Sequence, residues 1–116
     1  MQLQEVSQEM LATYVGGEIV LGNDDECINT LLLAKVTDIK VVGTSVSVSF
    51  TCTGWTRGTL EDTATCEWKE LSGNGAVLLG SGVALEDNGH AHFSPSAKGT
   101  IADLTPPLSS RHLQAA

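Results

Sequence analysis

The chain is short of aromatic residues, basic residues, proline and cysteine, and it has no long apolar run. Two Trp, two Phe and one Tyr supply too few rings for a platform on which bases or sugars stack. Six Lys and Arg against fourteen Asp and Glu leave a net charge of −8. That sign opposes the phosphate backbone, which nucleic-acid binding must neutralise with basic side chains, so no direct DNA or RNA contact is expected. The acidity could imitate nucleic acid, but only Asp24-Asp25-Glu26 and Glu61-Asp62 cluster, and acidic mimicry ranks last among the functions weighed. Cys27, Cys52 and Cys66 are odd in number and fit neither a secreted disulfide framework nor a CxxC zinc pair. The longest apolar run, residues 31–34, is far too short to span a bilayer. The opening MQLQEVSQEM has no basic start followed by an apolar core, so no secretory signal or membrane is expected and the cytoplasm is the expected compartment.

What is present is a pattern for structure. Residues 2–15 set Leu3, Val6, Met10, Leu11 and Tyr14 at steps of three and four, which predicts an amphipathic N-terminal helix stopped by Gly16-Gly17. From there short segments rich in Val, Ile, Thr and Leu alternate with Gly, Asn and Asp, the mark of antiparallel strands joined by tight turns. The segment YVGGEIVL after the helix resembles the entry into Sm-like and other small SH3-like barrels. The later signature of those barrels is absent, and no RNA-binding residue carries over.

Residues 28–42 read as one long strand, turned by Gly43-Thr44 into SVSVSFTCTGW. In that register Val41 faces Val46 and Ile39 faces Val48 on the inner side. Parity would then turn Lys35 inward and Val36 outward, so a bulge is expected near Val36 or Thr37. The alternation places Ser45, Ser47, Ser49, Thr51 and Thr53 together on the outer face, as a half-exposed antiparallel strand requires. Asn74-Gly75 and Asn88-Gly89 predict two further hairpins and a three-strand meander. For the second, a three-residue turn sets Leu85 against Ala91 and Val83 against Phe93. Gly80 and Gly82 mark a bend, GTIADL a short last strand, and residues 105–116 an extended or disordered tail.

The expectation is a single, mainly β domain over residues 1–104, a small antiparallel barrel or sandwich of about six strands with the helix packed against it. Its core would include Leu3, Met10, Ile19, Ile39, Val41, Val46, Val48, Phe50, Cys66, Trp68, Leu79, Val83 and Phe93. Chemical candidates are few. Glu86, His90 and His92 would share one face of the second hairpin, two imidazoles and a carboxylate that could hold a metal. Trp55 and Arg57, where a strand enters a loop, are residue types favoured as interface anchors. Cys52 and Cys66 fall beside Phe50 and Trp68 and read as inert buried thiols. No GxSxG elbow, calcium loop or P-loop is present, and no cofactor is implied. The leading expectation is a non-enzymatic protein-interaction module, a homo-oligomer or a subunit of a larger assembly. The alternative is a small-ligand-binding barrel or enzyme that uses an interior cavity.

Overall fold

A computed structural model describes residues 8–23, 30–43, 45–79, 83–85, 89–93 and 100–107. A short helix α1 (Gln8–Ala12) leads through a turn into strands β1 (Glu18–Asn23), β2 (Thr30–Val42) and β3 (Ser45–Arg57). A 3-10 helix (Leu60–Thr65) then precedes β4 (Lys69–Leu79), β5 (Val83–Leu85), β6 (Ala91–Phe93) and β7 (Thr100–Thr105). All seven strands join one antiparallel sheet in the order β4-β3-β2-β1-β7-β6-β5. Among the described residues this sheet is neither closed into a barrel nor split into a sandwich. No helix among them is long and apolar enough to cross a membrane.

The sheet is nevertheless strongly rolled. Its two edge strands, β4 and β5, are consecutive in sequence, and the four peptide steps from Leu79 to Val83 reach at most about 15 Å. A flat sheet of seven strands would hold its edges about 29 Å apart. The principal extents of 34 × 31 × 27 Å likewise describe a curled body rather than a slab. Inside the roll lies one core: Ile19, Ala34, Val36, Ile39, Val46, Val48, Phe50, Leu79, Ala91, Phe93, Ala102 and Leu104, joined by Leu11 and Tyr14. Residues of β3 and β4 share this one cluster with residues of β6 and β7.

The long hairpin follows the expected register. Val41 pairs with Val46, Ile39 with Val48 and Lys40 with Ser47, and Gly43 takes φ 65°, the positive value a two-residue turn needs. The register shifts between Val36 and Asp38, so Thr37 is the bulge that buries Val36 and exposes Lys35. A second shift, between Leu33 and Ala34, leaves Thr53 as an extra residue in β3. The β5–β6 register is also as expected, with Val83 on Phe93 and Leu85 on Ala91.

Asn74-Gly75 is not a turn. It lies inside β4, paired with Thr51 and Phe50. The reason is packing: a Cβ on Gly75 would sit 2.9 Å from Cε1 and Cζ of the Phe50 ring, so the glycine makes room for a core side chain in mid-strand. The three-strand meander fails with it, because β4 and β5 are opposite edges and do not pair.

Several expected core residues are placed elsewhere. Met10 is 45% exposed, since Leu11 and Tyr14 form the buried side of the short helix and its turn. Val41 is 39% exposed near the hairpin end, beyond the reach of β1, which pairs with β2 only as far as Lys35. Trp68 and Cys66 are half-buried, and Cys66 lies in the irregular segment after the 3-10 helix rather than on a strand. Leu3, Cys27 and the side chain of Val83 lie outside the described residues, as does the helix before Gln8. Thr105, assigned from sequence to the tail, ends β7, and Pro106 is fully buried.

Beyond Lys35, β2 is completed by other means. Gly16 N–H donates to the Val36 carbonyl and Val36 N–H to that of Gly17, both at 2.9 Å. The Gln8 carboxamide donates to the Ile39 carbonyl at 2.6 Å and accepts from Val41 N–H at 2.8 Å. It thus makes the two bonds that a neighbouring strand residue would make.

Candidate functional site

The expected anchors, Trp55 and Arg57, stand near the end of β3. Trp55 is half-buried and pairs with Leu32 on one side and Lys69 on the other. The Lys69 ammonium lies 5.5 Å from its ring centroid, a cation–π distance. Arg57 is exposed at the strand terminus opposite Thr30. The cation that meets the indole is therefore Lys69, which sequence spacing could not reveal because the register shifts between Cys52 and Gly54 in the β3–β4 ladder.

Around this end of β3 the 3-10 helix covers the convex face. A Cβ on Gly22 would meet Leu60 at 3.3 Å and Leu31 at 3.4 Å, and Leu31 is 1% exposed beneath that cover. Cys66 Sγ sits 3.3 Å from the Asp62 carbonyl, and the half-buried Cys52 packs against the core.

Further along, β3 and β4 build a different kind of surface. Residues 41–56 and 71–85 contain no Asp, Glu, Lys or Arg, and the topology sets the strands from these two stretches side by side. Ser45, Ser47, Ser49, Thr51 and Thr53 do line the convex face, with Val46, Val48 and Phe50 buried behind them. Some of their hydroxyls are engaged: Thr51 Oγ1 with Asn74 Oδ1 at 3.0 Å, and Thr53 Oγ1 with the Leu33 carbonyl at 3.2 Å. Leu78, opposite Ser47, is 63% exposed, and Val42, opposite Ser45, is 56% exposed. In a chain of charge −8, one flank of the sheet is thus neutral and partly apolar.

The titratable cluster is on the other flank. His92 pairs with Asp103 across β6 and β7, and His90, two residues earlier, reaches the same carboxylate. Asp103 Oδ1 lies 3.9 Å from His90 Nδ1 and 3.8 Å from His92 Nδ1. Its side chain is 16% exposed. These separations are too long for direct hydrogen bonds. Tyr14 joins electrostatically: burial first, and the Asp103 charge second, push its phenol above the ordinary value of 10.0. The carboxylate expected for this cluster, Glu86, lies outside the described residues, whereas Asp103 enters from a strand whose position sequence alone did not supply. Among the described residues no group of three or more His, Cys, Asp or Glu side chains is arranged to hold a metal ion.

No protein-family model, curated protein or solved structure matches the chain.

Proposed function

We propose that the chain is a non-enzymatic self-association module, a homo-oligomer or a repeated subunit of a larger assembly, whose copies meet through the β3–β4 flank. The observation that carries this reading is the segregation of charge. Two bodies of charge −8 repel over roughly a Debye length, about 8 Å at physiological ionic strength. They approach at least cost where neither carries charge, and residues 41–56 and 71–85 form such ground at one side of the sheet. Exposed Val42 and Leu78 add apolar area there, which association removes from water. Trp55 and Arg57 lie at the far end of the same strand, where Lys69 over the indole makes an aromatic–cation rim.

Mass by light scattering at several protein and salt concentrations tests this. The expected result is a multiple of 12.1 kDa, with association strengthened by salt as the residual repulsion is screened. A second reading, a small-ligand binder or enzyme, draws on one feature: two imidazoles within 3.9 Å of one largely buried carboxylate. A monomer at every concentration that retains a stoichiometric small molecule in native mass spectrometry would replace the first reading with the second.

A further inference from the structure

The two edges of the sheet differ in a way that narrows how copies meet. At one edge β5 has three residues, too short to template another strand. At the other, β4 has eleven, and among the described residues no strand lies on its outer side. Long edge strands usually carry protection against further pairing: proline, inward lysines or charges spread along them. In β4 the charges, Lys69 and Glu70, stand at its first two positions, and residues 71–79 hold neither charge nor proline. A shift between Cys52 and Gly54 sets Leu71 and Ser72 against Thr53 alone, so the ladder of β4 is regular from Gly73 to Leu79, wholly inside the neutral run.

Resting on the self-association reading above, we infer that the contact is an antiparallel pairing of β4 with β4 of a second copy, joining two rolled sheets edge to edge about a twofold axis. Charge selects this occupant. Antiparallel pairing about a twofold lays a strand against its own reversed sequence. With the axis near Ala76, every residue from 73 to 79 faces another from the same uncharged run. Opposed residues share a face of the sheet, so Ala76 and Leu78 meet convex-face neighbours, and Asn74 there is the most polar of them. Face-to-face packing of the β3 hydroxyl row is the poorer choice, because it would dehydrate a row of hydroxyls, of which Thr51 and Thr53 are already bonded within the chain.

Amide hydrogen exchange by NMR on the full chain, across protein concentrations and beside light scattering, tests the pairing. In a ladder every second N–H of an edge strand points outward. The expected result is that alternate amides within residues 73–79 slow by roughly tenfold or more as the dimer forms. An Ala76→Lys, Leu78→Lys double variant, at two exposed positions, should keep the monomer's circular dichroism and lose both the dimer and the slowing. A dimer whose β4 amides exchange at one fast rate at every concentration overturns the edge pairing but leaves self-association standing. Alternate amides equally slow in monomer and dimer mean that another part of the same chain covers the edge, and also overturn it. A monomer at every concentration sinks this inference and the reading beneath it together.

Discussion

One side of the sheet is built from long strands and the other from short ones. β2, β3 and β4 have 13, 13 and 11 residues, whereas β1, β7, β6 and β5 have 6, 6, 3 and 3. The short strands supply Phe93, Ala91, Ala102, Leu104 and Ile19, each fully buried, and the His90–Asp103–His92 cluster on their convex face. The long strands extend past the cover of β1 and end in exposed Val41, Val42 and Leu78. Ladder length and burial are thus uncoupled in this molecule. The long side is held by extended ladders together with its own buried side chains, Ala34, Val36, Ile39, Val46, Val48, Phe50 and Leu79, while the short side, whose ladders are too brief to stand alone, depends on apolar burial in the roll.

That contrast can be broken from either side. Phe93→Ala should have the largest effect, about 3 to 5 kcal/mol of lost stability in urea denaturation, because the ring is fully buried where both halves meet. A loss below about 1 kcal/mol would show that the short strands do not anchor the roll. Gly75→Ala should cost about 1 to 3 kcal/mol by overpacking, since its Cβ would stand 2.9 Å from the Phe50 ring. Phe50→Leu in the same chain should recover part of that loss, and no recovery would remove the ring contact as the cause. Gln8→Ala should cost about 1 kcal/mol and speed exchange of the Val41 amide, which loses its acceptor.

The smallest effect expected concerns pH and lies on the short side. Burial and the Asp103 charge raise the Tyr14 phenol above 10.0, so the fold favours the neutral form. The stability this contributes is whole below the ordinary tyrosine value and declines as pH rises through it toward the higher folded one. Urea midpoints measured at about pH 9 and about pH 11 should show that decline in the natural chain and less of it in Tyr14→Phe. An equal decline in both would place the alkaline sensitivity elsewhere.

Much of the long hairpin was legible because parity is a strict constraint. Val36 and Lys35 could take their observed faces only if one residue near Thr37 dropped out of register, and the turn at Gly43 set the pairing outward from one end. The β5–β6 register was legible for the same reason, since only a three-residue turn keeps Val83 and Phe93 opposed. Asn74-Gly75 misled because the pair reports what a backbone can do and not what surrounds it. Gly75 does not take the positive φ of such a turn; it is a glycine because Phe50 needs the space. Met10 misled because the helical repeat sets it on one face with Leu11 and Tyr14, whereas in the described helix, Gln8–Ala12, Leu11 is the buried residue and Met10 is 45% exposed. At the candidate sites, sequence spacing brought His90 and His92 together, but Asp103 and Lys69 arrive from strands distant in the chain.

Alternation along β2 and β3, the acidic balance and the neutral stretches are properties of residue order, and order alone determined which side chains share a face and where charge is missing. Which strands became neighbours was decided by tertiary structure. Linking β4 and β5 through so few residues forces the sheet to roll, while strand order, not local preference, made β4 an edge and the β6–β7 pairing carried Asp103 to the two histidines. Pairing between distant strands depends on how apolar surface from the whole chain can be buried at once, and no short window of sequence contains that information.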